Sequence, residues 1–573
     1  MIRKLVAASA AATAILGLVS CNAGDAPPPD DTAPAAAASE SEAQRNELAT
    51  RAGAPLFDGM GNHHHPITTS DPDAQRYFDQ GLVIDFAFNH AESARSFRAA
   101  QTLDPDCAMC YWGEALALGP NINVTSNGKV IMADDERIKA HAAMQKAIAL
   151  KDKVTKKEQD FIDALAQRYN GDPSTPREPL DEAYADAMRE LYRAYPEDDD
   201  AAALFAESLM NTMPWDYWLD AENPKPRTKE AIDALETVLA RNPQHPMALH
   251  LYIHAVEASS APGRAEQSAD TLLKLVPGAG HLVHMPSHIY YRIGRYADAS
   301  LANEMAAAVD EAYIEQCNAQ GFYPAAYYPH NIHFLWAASS MEGRSAVAIE
   351  AGRKVAANVQ LEMIEQFPGV EFFKTIPMQS LVQFGRWDEI LATPQPPANL
   401  EYSNGIWHYA RAVAFARTGD TAAAIAEREK LVPLKEATDV MFLDTIQYPA
   451  TMLLDIADSL AQGEIAMVEG DAGGAVEHFS RAVAVQDELP YTEPPFWYYP
   501  TRHSLGKALL AAGDAARAEE VYRRDLDMYP HNGWAMFGLI QALEAQDKDA
   551  SDVQHMFDMA WSQADVTLTA SRF

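Results

Sequence analysis

The chain repeats one pattern of apolar and small residues with a period of 34 residues. Pro243 and Pro277 stand 34 residues apart. When both prolines are placed at position 32 of a repeat, Ala265 and Ala299 both fall at position 20. A small residue at that place lets two neighbouring helices pack closely. The pattern therefore predicts consecutive pairs of amphipathic helices.

The same register extends toward both ends of the chain. A copy near the start has the expected residues at positions 8, 24 and 32. A copy near the end has them at positions 8, 20 and 24, and residues 407 to 433 form a further copy. The matching residues are Gly81, Phe97 and Pro105, then Gly506, Ala518 and Tyr522. Stacked helix pairs bury their apolar faces against their neighbours. The fold class predicted is therefore all-α, an α-solenoid.

Thirty-four residues is the tetratricopeptide period. The runs 104–113 (DPDCAMCYWG) and 284–288 (HMPSH) resemble segments of bacterial tetratricopeptide-repeat proteins. The resemblance implies a right-handed superhelix whose concave surface is made by positions 2, 5, 9 and 12. It also implies a peptide or protein partner in that groove, but no particular chemistry.

The first residues have the features of a secretion signal. Arg3 and Lys4 precede an apolar run from Leu5 to Leu16 that is too short to span a membrane. The following residues, 18–21 (LVSC), resemble the lipobox of bacterial lipoproteins. The resemblance implies a signal peptide over residues 1–20 and a lipid on Cys21. A simple signal peptide cleaved elsewhere remains the alternative.

The N-terminal features predict three further properties of the chain. Residues 21–52 are rich in Ala, Pro and acidic residues and predict a flexible tether. Residues 53–573 then form the solenoid. Asn22 after the lipobox implies an outer-membrane, cell-envelope location with the lipid as the only membrane contact.

The charge of the chain argues against nucleic acid as a partner. Lys and Arg number 45 against 81 Asp and Glu, which gives a net charge of −36. Binding to phosphates needs clustered basic side chains. Such clusters do not occur in this sequence.

The remaining cysteines include one close pair. Cys107 and Cys110 form a Cys-x-x-Cys motif, and Cys317 stands alone. A local disulfide, two free thiols, and metal or redox chemistry are all compatible with the motif. Haem attachment is disfavoured because Tyr111 occupies the place of the required histidine.

Histidines recur at matching repeat positions and form the best candidate site. Position 5 holds His250, His284 and His333, position 9 holds His254 and His288, and position 2 holds His281 and His330. Residues four apart on a helix share one face. Together with Glu257 at position 12, which would be either a carboxylate ligand or the acceptor that orients an imidazole, the array predicts a site for a transition metal. Its ligands would be His250, His254, Glu257, His284, His288, His330 and His333, and its ion Zn, Cu, Ni or Fe.

Other interpretations of the histidines remain open. Position 5 recurs at His408 and His503, so part of the array can be a packing residue copied by duplication. A polar groove that binds a peptide or small molecule would use the same imidazoles. The run His63 to His65 is either an exposed loop or a source of extra ligands.

Two other functions are compatible with the sequence. A metal-dependent enzyme would use the cluster between His250 and His333 with an open coordination position. A glycan-binding surface lipoprotein would expose the aromatic runs 214–218, 323–328 and 496–499 in one groove. Packing between helix pairs is the interpretation we favour for those rings.

Overall fold

The computed structural model describes residues 41–125, 130–131, 133–317, 319 and 321–573. The predicted signal peptide, Cys21 and residues 22–40 of the predicted tether lie outside the described residues. Within the described part, the chain is an all-α, tetratricopeptide-like solenoid. No helix in this part is both long and apolar enough to cross a membrane.

The helices are joined by short connections. The α-helices are α1 Glu42–Ala52, α2 Pro72–Phe86, α3 His90–Leu103, α4 Ala108–Ala117, α5 Asp134–Leu150, α6 Lys156–Ala166, α7 Glu178–Ala194, α8 Asp199–Asn211, α9 Pro226–Arg241, α10 Pro246–Val256, α11 Glu266–Leu275, α12 Gly280–His284, α13 Pro286–Arg292 and α14 Tyr296–Cys317. They continue with α15 Tyr328–Met341, α16 Ser345–Asn358, α17 Leu361–Gln366, α18 Ile376–Gln383, α19 Trp387–Ala392, α20 Glu401–Arg417, α21 Thr421–Leu431, α22 Thr438–Thr445, α23 Ala450–Glu469, α24 Ala472–Asp487, α25 Arg502–Ala511, α26 Ala515–Met528, α27 Gly533–Glu544 and α28 Ser551–Ala560.

Short irregular elements complete the described chain. Single 3₁₀ turns occupy Lys151–Lys153, Pro262–Ala265, Pro368–Lys374 and Val432–Glu436, and a π-helical turn occupies Tyr323–Tyr327. Two strand pairs are present: β1 Val124–Thr125 runs parallel to β2 Val130–Ile131, and β3 Trp218–Asp220 runs antiparallel to β4 Asn223–Pro224.

Close packing within helix pairs follows the predicted register. Phe97 from α3 lies on Gly81 of α2 and Gly113 of α4, and a Cβ on Gly81 would come within 2.8 Å of the ring. Tyr522 of α26 contacts Gly506 in the same way. Positions 8 and 24 therefore meet in distant copies, because only glycine leaves room for an aromatic ring at that separation.

The superhelix folds back so that its two halves meet. The Trp534 indole donates a hydrogen bond to the backbone carbonyl of Ser340 at 2.9 Å. The Tyr491 hydroxyl lies 3.5 Å from Glu257, 234 residues earlier. These contacts bring distant repeats against the central helices.

The predicted boundary of the tether is wrong at its C-terminal end. Residues Glu42–Ala52 form α1, with a capping box between Ser41 and Gln44 and with Gly53 at φ 80° as its C-cap. Leu48 and Ala52 are buried. The helix forms because these few apolar residues fall on one face and pack on the first repeat.

Cys107 and Cys110 are joined in a disulfide, the first of the three alternatives that the motif left open. Cys107 is also the N-cap of α4, and its sulfur accepts a hydrogen bond from the backbone N–H of Cys110 at 3.1 Å. Cys317 is not part of a disulfide.

Candidate metal centre

Six histidines converge on the buried face of the central helices. His250 and His254 lie on α10, His281 and His284 on α12, His288 on α13 and His330 on α15. His254 and His288, both at position 9 of their repeats, have ring centroids 5.3 Å apart. Adjacent copies of the repeat thus place equivalent residues side by side, as the register predicts.

The Nδ1 atoms of four of these imidazoles face groups that only accept hydrogen bonds. His250 donates to the carbonyl oxygen of Phe86 at 2.6 Å. His254 and His288 donate to the two oxygens of Glu257 at 2.8 and 2.6 Å. His284 faces Oδ1 of Asn303 at 2.6 Å.

The amide of Asn303 is oriented by a second contact. Its NH₂ group donates to the carbonyl oxygen of Ala299 at 2.7 Å, so its oxygen is the atom that faces His284. His250, His254, His284 and His288 therefore all carry their proton on Nδ1. Each presents a lone pair on Nε2 to the interior of the cluster.

These inward lone pairs lack donors. Among the described residues, Nε2 of His250, Nε2 of His254 and both ring nitrogens of His281 are buried without a hydrogen-bond partner. The Nε2 atoms of His284 and His288 face each other at 2.9 Å. Two ligands on one ion with metal–nitrogen bonds of about 2.0–2.1 Å lie about 3 Å apart. The observed separation is therefore compatible with two ligands of one ion.

Burial favours the neutral form of four imidazoles of the cluster. Burial is the main cause that lowers the pKa of His250, His281, His284 and His330 well below the usual value, and neighbouring imidazoles add to it. Neutral imidazole is the form that binds metals. Burial acts to raise the pKa of Glu257, but His288 and His254 lower it to about 2.

Glu257 occupies the second of the two roles predicted for it, that of an acceptor that orients an imidazole. Both of its oxygens accept Nδ1–H groups, so it orients His254 and His288. Such carboxylate–histidine pairs are the usual support of metal-bound imidazole. Sequence spacing placed Glu257 on the correct face but could not show which atoms it contacts.

His333 lies outside the cluster, so its prediction as a ligand is wrong. Its ring stacks on Trp336 at 5.2 Å and contacts Phe372 and Phe373. Helix α15 directs His330 toward His284, with ring centroids 4.8 Å apart, and directs His333 elsewhere. The two residues are three apart in sequence, which separates them by about 60° around the helix axis.

Aromatic residues close the cluster from outside. Phe88 lies 4.5 Å from His250 and Trp215 lies 5.1 Å from His254, measured between ring centroids. Both adopt positive φ, 57° and 61°. Such a backbone costs about 1–3 kcal/mol for a bulky residue and occurs preferentially at functional sites.

The histidines of the cluster are buried and do not line an open groove. The side chains of His250, His254, His281, His284 and His288 are at most 2% exposed. A peptide cannot reach them in this structure, so the expectation that they line an open binding groove is wrong. The covering segments come from distant parts of the chain, which the repeat pattern does not reveal.

Residues 490–494 supply groups that sequence reasoning missed. Oε2 of Glu493 lies 4.0 Å from Nδ1 of His288, and Tyr491 donates a hydrogen bond to Glu493. Burial, with the nearby charge of Glu257, raises the pKa of Glu493 well above its usual range. The repeat period of the sequence does not indicate that residues 490–494 lie against α13.

The run His63 to His65 forms a separate clasp around Asp200. Oδ2 of Asp200 accepts from Nδ1 of His65 at 2.6 Å, and Oδ1 accepts from Nε2 of His245 at 3.0 Å. Nε2 of His63 lies 3.1 Å from the same Oδ1. Burial alone would raise the pKa of Asp200, but these three imidazoles hold it well below its usual value.

The clasp is unsuited to a metal. Nδ1 of His245 accepts the backbone N–H of Ala248 at 3.3 Å, so its proton is on Nε2 and points at Asp200. His63, Asp200 and His245 have possible ligand atoms within 4.8 Å of one another, but His65 and His245 direct N–H groups at the carboxylate. His64 instead pairs with Asp79 and is more than half exposed. The run is neither an exposed loop nor a source of ligands for the central cluster.

The two distant position-5 histidines are hydrogen-bonded to carboxylates. His408 donates to Glu427 at 2.6 Å and Nε2 of His503 lies 3.1 Å from Asp525. Nε2 of His503 also lies 2.8 Å from the amide nitrogen of Asn532. Position 5 thus places an imidazole beside a carboxylate in both distant copies.

The aromatic runs proposed for glycan binding are largely buried. Tyr217, Tyr323, Tyr327, Trp497 and Tyr499 are all less than 9% exposed. Trp215 is the exception at 42%, and its indole donates to Asn123 at 3.0 Å. The rings fill gaps between helices as favoured above.

No protein-family model and no curated protein sequence matches the chain. Solved helical-repeat proteins align over most of its length with low similarity. Yeast Tom70 is 11% identical and covers 84% of this chain and 89% of its own, with a TM-score of 0.28. Ypp1 is 10% identical and covers 94% and 71%, with a TM-score of 0.32. Cut9, in its hetero-tetramer with Hcn1, is 12% identical and covers 86% and 76%, with a TM-score of 0.28.

Replacing Asp200 should open the clasp in a pH-dependent way. We expect Asp200→Asn to lower the free energy of unfolding by about 2–4 kcal/mol near pH 6, because three imidazoles lose their acceptor. Burial acts to lower the pKa of His65 but Asp200 raises it overall. The contribution of His65 is therefore present below its unfolded pKa and lost as pH rises through its higher folded pKa.

The contribution of Asp200 has the opposite sign. Its carboxylate stabilises the fold above about pH 4 and loses this effect as pH falls through its lowered pKa. Urea unfolding at pH 6 and pH 8 should show the larger difference between variant and wild type at pH 6. His64→Ala, on the exposed neighbour, should cost less than about 1 kcal/mol. An equal cost for both variants would contradict the clasp.

Proposed function

We propose that this chain is a transition-metal-binding helical-repeat scaffold of the bacterial cell envelope, with the ion held by the buried histidine cluster. The observation that carries the proposal is the set of inward Nε2 lone pairs. A buried polar atom without a partner costs about 1–3 kcal/mol. Several such atoms together would cost as much as a typical domain's whole stability, about 5–15 kcal/mol. A bound cation offsets that cost.

The donor set limits the kind of ion. Imidazole suits Zn²⁺, Cu²⁺, Ni²⁺ and Fe²⁺, whereas Mg²⁺ and Ca²⁺ take oxygen ligands. The Nδ1 acceptors, Glu257, Asn303 and the carbonyl of Phe86, fix the rings in the tautomer that binds through Nε2. The ligands are His250, His254, His281, His284, His288 and His330.

A metal-dependent enzyme is the second candidate function. Glu493 and Tyr491 favour it, because they place a buried carboxyl and a phenol beside His288. Groups of this kind can exchange protons with a ligand on the ion. The solenoid would then hold the active site in its interior.

A peptide or protein partner would bind away from the histidines. A cavity of about 700 Å³ opens between α1, the segment 55–60 and α14. Its lining includes the carboxylates of Glu42, Asp58, Glu92 and Asp310. This cavity is open at the surface, so a peptide or protein segment can reach it.

Removal of ligands should remove the metal. Protein produced without a histidine tag should contain stoichiometric Zn, Cu, Ni or Fe by elemental analysis, and the double variant His254→Ala, His288→Ala should lose it. Returning the ion at 1,000 times its Kd to the metal-depleted wild type should add about 4 kcal/mol of stability. The control His333→Ala should retain the metal.

Two results would contradict the proposal. One is wild-type protein that contains no metal and whose Tm does not rise with added Zn²⁺ or Cu²⁺. The other is full metal retention in the double variant, which would show that other residues hold the ion.

The carboxylate behind the ligands should tune affinity. In Glu257→Gln the amide oxygen can accept one Nδ1–H, but its NH₂ group opposes the other. We expect metal affinity to fall about 10- to 100-fold, measured by competition with a chelator. Glu427→Gln makes the same change at His408 and should leave affinity unchanged. Unaltered affinity in Glu257→Gln would show that Glu257 does not support the ligands.

The proposed envelope location depends on Cys21. Replacing Cys21 by Ser should move the protein from the membrane fraction to the soluble periplasmic fraction, because a lipid would be its only membrane contact. Asn22→Ala serves as the neighbouring control and should remain in the membrane fraction. A Cys21→Ser protein that stays in the membrane would argue against the anchor.

A further inference from the structure

The six histidines of the centre separate into two groups of three. His250, His254 and His281 have ligand atoms within 4.8 Å of one another, and so do His284, His288 and His330. The two groups share no member. We call them the first and the second triad.

Each triad has the dimensions of one coordination sphere. With bonds of about 2.0–2.1 Å, ligand atoms on one ion are separated by about 3 to 4 Å. In the described part of the chain, imidazoles from different triads come together as possible ligands only in a group that contains Glu257, through His254 and His288. That group is the hydrogen-bonded arrangement described above, with both imidazoles donating to the carboxylate.

Glu257 accepts a hydrogen bond from one histidine of each triad. Oε1 accepts from His254 of the first triad and Oε2 from His288 of the second. One carboxylate therefore orients one ligand of each group at the same time. A single-ion site needs no such sharing, since one imidazole–carboxylate pair is enough to orient a ligand.

Each triad also has its own aromatic wall. Phe88 covers the first, with ring centroids 4.5 Å from His250 and 5.4 Å from His281. Phe334 covers the second, at 4.9 Å from His284 and 4.6 Å from His288. Two separate apolar walls exclude water from two separate sets of lone pairs.

We propose that the cluster is a binuclear metal centre, with one ion bound by His250, His254 and His281 and another by His284, His288 and His330. The inference rests on the proposed function and specifies its stoichiometry. Three imidazoles leave each ion an open position. Water is the ligand that usually fills such an open position.

The number of ions bound by the metal-depleted full-length protein tests the proposal. Native mass spectrometry during a Zn²⁺ titration should show two ions on the wild type. His281→Ala should keep one, since it breaks only the first triad, and His330→Ala should keep one, since it breaks only the second. The combination should bind none in this centre.

Matched controls separate this centre from other histidines. His333→Ala and Asp200→Asn should both still bind two ions, because neither residue belongs to a triad. A wild type that binds one ion, weakened by both triad variants, would overturn the binuclear centre but leave the proposed metal function intact. A wild type that binds none would overturn both. If a triad variant does not fold, the wild-type stoichiometry decides between one ion and two.

Discussion

The arrangement of the centre depends on one carboxylate that accepts two imidazole N–H groups. Glu257 is buried, and its two oxygens lie within 2.8 Å of Nδ1 of His254 and His288. This fixes the protons on Nδ1 and leaves Nε2 of each ring as a lone pair inside. A buried carboxylate without such donors would protonate, and the rings would be free to turn. The inward lone pairs therefore follow from a hydrogen-bonding constraint rather than from the histidines alone.

The solenoid makes this constraint possible by bringing equivalent positions of adjacent repeats together. Position 9 supplies His254 and His288, and position 12 of the first copy supplies Glu257. Segments from distant repeats then cover the site: Phe88 follows α2, Trp215 follows α8, and Tyr491 follows α24. Covering the site matters because water would hydrogen-bond to exposed lone pairs and remove the free-energy cost that a bound cation offsets.

The contrast with Asp200 shows that histidine content by itself does not identify a metal site. Around Asp200 the imidazoles donate to one carboxylate and balance its charge. His408 likewise donates to Glu427, and Nε2 of His503 lies beside both Asp525 and the side-chain amide of Asn532. In the described part of the chain, the central cluster differs because four of its imidazoles donate Nδ1–H to groups around it and keep a lone pair on Nε2. The acceptors around an imidazole thus decide which of its nitrogens keeps a lone pair.

The amino-acid sequence by itself determined the repeat and much of the candidate site. The period of 34 residues and its small residues predict the helix pairs, and Gly81 and Phe97 meet as the register requires. The same register identifies His250, His254, His284, His288 and His330, because helical periodicity places equivalent positions on one face. The register also assigned His333 to the site and left two roles open for Glu257, as a ligand or as an acceptor that orients an imidazole. Only the tertiary structure decided those points, since ring orientation, tautomer and covering segments depend on contacts between residues far apart in the chain. A local period carries no information about such contacts.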